Sequence, residues 1–288
     1  MNRSILGALL VMVISETSSA QVGGHYATVN GLRMYYELHG PSESAAPPLV
    51  LLHGGVGGIG MFGPNLPVLA TGRRVIAVEL QGHGRTRDID RPLRYESMAD
   101  DIAALLTQLK IPKADVLGYS LGAGVALQTV FRHPNLVRRL VVVSRPFRRT
   151  GFHPEVVAAF DQMGPAAAAG MKQSPLFKMY PDVNWEALFS KIGDMERQPY
   201  DWSADVAKIG VPTMLVFADA DAMTPAHILE FWGLLGGGKR DAGFDGANRP
   251  QSRLAIVPGT THYDLLYTPV VAELVRPFLD APDRSVRE

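Results

Sequence analysis

The segment 114–127 constrains the fold of this chain most strongly, because an apolar run ends there in a serine flanked by glycines. The run is strand-like up to Gly118, and a helix-like pattern begins after Leu121, with Ser120 at the junction. A Gly-x-Ser-x-Gly sequence between a strand and a helix predicts a sharp turn that lifts the serine hydroxyl clear of a sheet. Glycines suit the positions two residues away on either side, because side chains there would crowd the strand and the helix.

Short apolar runs alternate with segments of helical spacing along most of the chain. The predicted strands of this kind are 49–52, 74–79, 114–118, 140–143, 212–217 and 254–257. Such alternation predicts right-handed crossovers and an α/β fold, in which helices cover both faces of a mainly parallel sheet. Two β-rich runs around Asn30-Gly31 predict a hairpin with a type I′ turn before the first of these strands.

The alternation is interrupted between about residues 145 and 206. This segment is rich in Met, Ala, Phe, Trp and Pro, and it shows patches of helical spacing without a strong strand. We interpret it as a helical cap inserted over the carboxyl ends of the strands. Residues 21–288 would then form one domain that carries this insertion.

The composition excludes several kinds of chemistry and of partner. Lys and Arg together number 28, as do Asp and Glu, and this balance gives no indication of a nucleic acid or an anionic membrane as partner. The chain has no cysteine, so disulfides, thiolate nucleophiles and cysteine-ligated metals are excluded. Its eight histidines show neither HxH nor HExxH spacing, and we predict no metal and no cofactor. Nothing in the sequence indicates the oligomeric state.

A serine hydroxyl needs a base within hydrogen-bond reach, and the base needs a carboxylate to orient it. His262 follows the last predicted strand, and Asp219 and Asp221 follow the strand before it. The carboxyl ends of parallel strands meet at one edge of a sheet, so the serine, one of the acids and the histidine are expected to meet there. Alternation along an extended segment does not separate Asp219 from Asp221, because both would point the same way.

These motifs resemble the α/β-hydrolase superfamily, and the resemblance covers essentially all of residues 25–280. It rests on the segments 53–55, 82–84, 118–122, 221–225 and 259–262. The order serine, acid, histidine is the one found in that superfamily. In such families the acid usually stands four residues before a proline. Because Pro225 occupies that position here, the resemblance implies the triad Ser120, Asp221 and His262.

The resemblance also implies which groups would stabilise the oxyanion of a tetrahedral intermediate. One donor would be the backbone N–H of Leu121, directly after the serine. The other would come from the glycine-rich loop formed by residues 53–58, from Gly55 or alternatively from Val56. Losing one donor of this kind typically costs about 2.7–4 kcal/mol of transition-state stabilisation.

The implied activity is hydrolysis of a small-molecule carboxylic ester or lactone through an acyl-enzyme, as in carboxylesterases and lactonases. A serine at the turn argues against the similar dehalogenases and epoxide hydrolases, which use aspartate there. Carbon–carbon bond hydrolases and cofactor-free perhydrolases share the serine and the triad, so both remain open. A non-catalytic secreted binding protein would be expected to lack a member of the triad, and all three are present.

Residues 1–20 are predicted to be a secretory signal peptide. Arg3 gives a positive start, 5–14 form an apolar run, and small residues at 18–20 precede Gln21. The apolar run is too short to be a stable membrane anchor. We therefore expect the protein to be exported, either to the periplasm or out of the cell.

Export predicts a defined amino terminus. Protein recovered from its native host should begin at or near Gln21, because cleavage follows the small residues that end the signal peptide. N-terminal sequencing of the mature chain tests this. A mature product that still starts at Met1 would rule the signal peptide out.

Overall fold

A sheet of eight strands forms the centre of the described part of the chain. The computed structural model describes residues 23–170 and 174–282. The strands are β1 Gly23–Val29, β2 Leu32–His39, β3 Leu49–Leu52, β4 Val75–Val78, β5 Ala114–Tyr119, β6 Val137–Val143, β7 Thr213–Ala220 and β8 Arg253–Thr261. Their spatial order is β1-β2-β4-β3-β5-β6-β7-β8.

Most of the sheet is parallel. Strand β3 pairs in parallel with β4 and β5, and β5, β6, β7 and β8 continue the parallel ladder. Only the edge formed by β1 and β2 is antiparallel. Parallel strands are buried on both faces, and β3, β4 and β5 consist entirely of buried residues. The prediction of a mainly parallel sheet is confirmed.

Helices cover both faces of the sheet, as predicted. The helices that follow or precede the strands are α1 Asn65–Leu69, α2 Tyr95–Gln108, α3 Leu121–Arg132, α9 Pro225–Leu234 and α10 Val270–Leu279. Side chains of a strand alternate between faces. Val50 and Leu52 of β3 therefore pack in the core that contains α2, α3 and α9. Leu49 and Leu51 pack in the other core, with α1 and α10.

The predicted hairpin is confirmed. Strands β1 and β2 pair directly across Asn30-Gly31, and both turn residues have positive φ, 47° and 81°. This is the backbone of a type I′ turn, whose twist matches that of the strands it joins. The hairpin adds the antiparallel edge to the sheet.

Among the described residues between β6 and β7, the region predicted as a helical insertion, there are five α-helices. They are α4 Pro154–Asp161, α5 Pro165–Ala168, α6 Pro175–Met179, α7 Trp185–Arg197 and α8 Ser203–Val206. Their role as a cap stays a prediction.

A buried ion pair fastens α7 to the end of β6. The two guanidinium nitrogens of Arg145 contact the two carboxylate oxygens of Glu196 at 2.9 and 3.1 Å, and one of them also contacts the Tyr200 hydroxyl at 2.8 Å. Both charged side chains are almost fully buried. Charges are tolerated at such depth only when they are paired, so removing either partner would be strongly destabilising.

Strand β8 differs from the sequence prediction. The strand predicted at 254–257 is longer in the structure, because β8 continues to Thr261, which pairs with Ala220 of β7. The continuation is possible because the register shifts between Ala218 and Ala220, and because Gly259 adopts a φ of 69°. His262 consequently follows the strand directly.

The predicted signal peptide lies outside the described residues, since the described chain begins at residue 23. Within the ranges 23–170 and 174–282, no helix has both the length and the apolar character needed to cross a membrane.

Two buried histidines predict how the stability of the fold depends on pH. Burial, together with repulsion from the neighbouring His83 ring, lowers the pKa of His53 to about 3, and burial lowers that of His83 to about 4. The neutral His53 ring donates from Nδ1 to the Gly54 carbonyl and accepts the Leu80 N–H at Nε2. Protonation at Nε2 would therefore break the bond to Leu80.

We expect the free energy of unfolding to fall as the pH drops from about 6.5 to 5. The folded-state pKa values lie below that of an unfolded histidine, so the unfolded chain binds more protons in this range and is favoured. Each ring contributes up to about 1.4 kcal/mol per pH unit. Urea denaturation across this range measures the slope, and His53→Gln should flatten it while lowering stability at pH 7. An unchanged slope in His53→Gln would contradict the assignment.

Candidate active site

Ser120 occupies a strained turn between β5 and α3. Its backbone has φ 53° and ψ −117°, a combination that L-residues rarely adopt. The flanking glycines are required by close contacts. A Cβ at Gly118 would lie 2.2 Å from the carbonyl oxygen of Gly122, and a Cβ at Gly122 would lie 2.2 Å from that of Leu52. The turn therefore places the Ser120 side chain at the carboxyl end of β5, as the sequence pattern predicts.

The structure brings Ser120, His262 and Asp221 into one hydrogen-bonded chain. Ser120 Oγ lies 3.0 Å from His262 Nε2, and His262 Nδ1 lies 2.9 Å from Asp221 Oδ1. An ionised carboxylate only accepts hydrogen bonds, so Nδ1 carries the proton of the neutral ring. Nε2 is then left to accept the serine hydroxyl, which is the arrangement a general base requires.

Asp221 is buried and fully occupied by hydrogen-bond donors. Besides His262, its carboxylate accepts the Ser144 hydroxyl at 2.6 Å and the backbone N–H groups of Ala218 and Ala222 at 2.9 and 2.7 Å. Burial alone would raise the pKa of Asp221. The bonds from His262, Ser144 and Ala218 outweigh burial and hold this pKa below its usual value. The carboxylate therefore stays ionised and fixed in orientation.

Asp219 lies apart from the histidine and has a different set of partners. Its carboxylate accepts the backbone N–H groups of Gly259 and Thr260, at 2.9 and 3.1 Å. These bonds lower its pKa, and the group is exposed to solvent. Asp219 thus connects the end of β7 to β8 through backbone groups, and its hydrogen bonds are to Gly259 and Thr260 and not to His262.

Two contacts of the site were not anticipated from the sequence. Ser144, the residue after β6, has a φ of 52° and directs its hydroxyl to Asp221. No local sequence signal marks this serine. The Tyr119 hydroxyl donates to the backbone carbonyl of His262 and so anchors the loop after β8. The signal in the sequence is the tyrosine directly before Ser120.

The residues implied for the oxyanion site lie beside Ser120. Gly55, Val56 and Leu121 all line the same cavity as the serine. Leu121 is the first residue of α3, and the first N–H groups of a helix have no partner within it. A Cβ at Gly55 would come within 3.3 Å of the Leu121 side chain. The glycine-rich loop at Gly55 therefore packs against the Leu121 side chain beside the serine, and the role of both residues as oxyanion donors stays a prediction.

A cavity of about 370 Å³ opens at Ser120 and His262. Its walls are mainly apolar and come from the glycine-rich loop and from α4 and α7. The apolar residues that line it are Val56, Met61, Leu121, Phe152, Val156, Ala159, Phe160, Met163, Ile192 and Ala222. A larger cavity of about 1020 Å³ lies between the 82–88 turn and residues 179–191, but Ser120 does not line it. We take the smaller one as the candidate site because it contains the serine.

No group of three or more His, Asp or Glu side chains is arranged to hold a metal ion in residues 23–170 and 174–282.

Comparison with a family sequence model gives a match over part of the chain. Residues 47–169 match the family described as alpha/beta hydrolase fold. The match runs from β3 through the serine turn to α5, and it ends before Asp221 and His262. The order of strands and helices around it continues in the same pattern to the end of the described chain.

Individual proteins similar to this chain carry hydrolase names. A protein designated a carbamate hydrolase in Azorhizobium caulinodans is 29% identical over 70% of this chain and 83% of its own length. An sn-1-specific diacylglycerol lipase of Danio rerio is 38% identical over 46% of this chain, but the chain spans only 43% of that relative. The structure of an enol-lactonase from Burkholderia xenovorans superimposes with a TM-score of 0.72 at 21% identity, covering 89% of this chain and all of that one. Together with the order of its strands, these similarities show that the chain has the α/β-hydrolase fold.

Proposed function

We propose that this protein hydrolyses a carboxylic ester or a lactone through an acyl-enzyme formed on Ser120. One observation carries the proposal. The serine hydroxyl contacts His262 at 3.0 Å and the far side of the ring contacts Asp221 at 2.9 Å, at the end of an apolar cavity. A nucleophile, its base and the group that orients the base are the minimum that serine hydrolysis needs.

The first half of the reaction would acylate the serine. His262 Nε2 accepts the Ser120 proton while Oγ attacks the carbonyl carbon, and the carbonyl oxygen becomes an oxyanion. The tetrahedral intermediate then collapses, the bond to the leaving oxygen breaks, and the protonated His262 returns the proton to that oxygen. An alcohol leaves from an ester. In a lactone the released hydroxyl remains attached to the acyl chain.

The second half would release the acid. Water donates a proton to His262 Nε2 as its oxygen attacks the acyl-enzyme, and a second tetrahedral intermediate forms. This intermediate expels Ser120 Oγ, which recovers the proton from the ring. In both halves Asp221 holds the ring by Nδ1 and stabilises the positive charge that develops on it, and it does not itself take up the proton.

The oxyanion would be stabilised by backbone N–H groups of Leu121 and of the glycine-rich loop. Gly55 is our choice in that loop, because it approaches the Leu121 side chain while both line the cavity. Fixed dipoles of this kind act only on charge that develops during the reaction, so they lower the barrier without tightening substrate binding.

The cavity favours a substrate with an uncharged, apolar acyl group. Phe152, Phe160 and Ile192 are among the side chains that line it. Its volume lies near the lower end of the range for small-molecule sites, which suits a short or medium acyl chain. The lipase and lactonase named among the similar proteins support an acyl–oxygen bond as the one cleaved. A panel of esters of increasing chain length, with lactones alongside, measures the preference.

Replacing the nucleophile tests the mechanism. Ser120→Ala should fold normally and lose turnover by about 10⁴-fold or more, because no acyl-enzyme can form. A fluorophosphonate probe should label the parent at Ser120, as read by mass spectrometry of the peptides. Ser42→Ala, at an exposed loop serine, is the matched control and should keep full activity. Labelling at another residue, or turnover that survives in Ser120→Ala, would refute the proposal.

The two neighbouring aspartates provide a second test. Asp221→Asn should lower turnover by about 10³–10⁴-fold, because an amide keeps the shape but no longer holds the imidazole in the required tautomer. Asp219→Asn should change turnover by less than about threefold, since its partners are backbone groups at the surface. Turnover of both variants is measured after circular dichroism shows that they are folded. If Asp219→Asn is the inactive one, the assignment of the acid is wrong.

A further inference from the structure

Glu79 is a buried carboxylate that the proposed reaction does not use. It follows β4, and its side chain is completely shielded from solvent. It accepts the backbone N–H of Arg85 at 2.5 Å and a guanidinium nitrogen of the same residue at 3.0 Å. Two further donor groups, the backbone N–H of Ile59 and the hydroxyl of Tyr180, lie near the carboxylate. Donor groups from three parts of the chain thus surround one carboxylate.

Two of these donors connect the glycine-rich loop to the helical segment between β6 and β7. Ile59 begins the short 3-10 helix Ile59–Phe62 that ends the loop, and Tyr180 directly follows α6. The Tyr180 hydroxyl lies close to the Glu79 carboxylate and to the backbone of Gly60. Burial and the nearby carboxylate raise the pKa of Tyr180 to about 12, so the hydroxyl keeps its proton beside the carboxylate.

The loop approaches this pair closely. A Cβ at Gly58 would lie 2.5 Å from the Tyr180 hydroxyl oxygen and 3.1 Å from Glu79 Oε1. On the other side of the carboxylate, a Cβ at Gly84 would lie 2.3 Å from the Glu79 carboxyl carbon. Residues without side chains are therefore needed on both sides, and the loop rests directly on the two polar groups.

The loop contains a strained residue beside the proposed oxyanion donor. Val56 has a φ of 62°, a left-handed conformation that is a genuine outlier for a β-branched side chain. Such strain persists only where the surroundings impose it. The loop is fixed at one end by β3, which ends at Leu52, and at the other it packs against Glu79 and Tyr180 at residues 58–60.

We propose that Glu79 and Tyr180 are positioning residues that hold the glycine-rich loop so that the Gly55 N–H points at the oxyanion. The inference rests on the proposed function. Neither residue lines the cavity at Ser120, so each acts through the loop. Because Tyr180 belongs to the helical segment between β6 and β7, the oxyanion site is complete only while that segment is seated on the loop.

Removing the Tyr180 hydroxyl should weaken transition-state stabilisation selectively. In Tyr180→Phe the ring still fills its place, but the hydroxyl that lies between Glu79 and the loop backbone at Gly58 and Gly60 is removed. We expect kcat on an ester that the parent hydrolyses to fall by about 10–100-fold, because a small misplacement of a catalytic group is costly. KM should stay within about twofold of the parent value, because ground-state binding is unaffected. Labelling by the fluorophosphonate should slow in parallel, since its phosphoryl oxygen uses the same donors.

Tyr200→Phe is the matched control. Tyr200 also lies in the segment between β6 and β7 and is hydrogen-bonded, but its partner is Arg145 and not the glycine-rich loop. This variant should lose stability while kcat stays within about twofold of the parent. A fall in kcat in Tyr180→Phe but not in Tyr200→Phe distinguishes a role in positioning the loop from a general effect on stability.

A double-mutant cycle with Glu79→Gln tests whether the two residues act together. Glu79→Gln should lower kcat as Tyr180→Phe does, and the double variant should fall no further than the worse single variant. The inference would be overturned if the two substitutions lowered kcat additively, or if Tyr180→Phe left kcat unchanged. It would also be overturned if KM rose in Tyr180→Phe as kcat fell, or if this variant failed to fold. A parent protein without ester turnover would instead refute the proposed function.

Discussion

The site depends on the backbone of one residue. Ser120 is held at φ 53° and ψ −117°, and strain of this kind costs about 1–3 kcal/mol. The first turn of α3 passes close to Gly118, and the backbone of β3 passes close to Gly122, so neither position has room for a side chain. The strained turn therefore requires a buried β5, with β3 beside it and α3 packed behind. The sheet supplies that packing, because β5 is buried along its whole length.

The same sheet gathers the other groups of the site. Each lies just beyond the carboxyl end of a different parallel strand: Gly55 after β3, Ser144 after β6, Asp221 after β7 and His262 after β8. Their partners are far apart in sequence, since Ser120 and His262 are separated by 142 residues. Contacts this distant cannot come from local propensity. They follow from the register of parallel strands, which brings the strand ends to one edge.

The strand pattern and the identity of the candidate residues could be predicted from the sequence, because both depend on local signals. Asp219 and Asp221 could not be separated by alternation, and only the resemblance to a superfamily favoured Asp221. The two carboxylates have different partners because the pairing of β7 with β8 is irregular here, with a register shift between Ala218 and Ala220. The role of Ser144 could not be predicted for a related reason, since its hydroxyl donates to Asp221, which lies 77 positions later in the sequence.

The helical segment between β6 and β7 is attached to the rest of the protein by buried polar contacts at two places. Arg145 binds Glu196 at the end of β6, and Tyr180 binds Glu79 beneath the glycine-rich loop. Separating either contact would leave a buried polar or charged group without its partner, which is strongly unfavourable. The segment is therefore restricted in its movement at both places. The apolar side chains of α4 and α7 that line the cavity belong to this segment. Substrate preference can therefore vary through those side chains while the two attachments hold the segment itself.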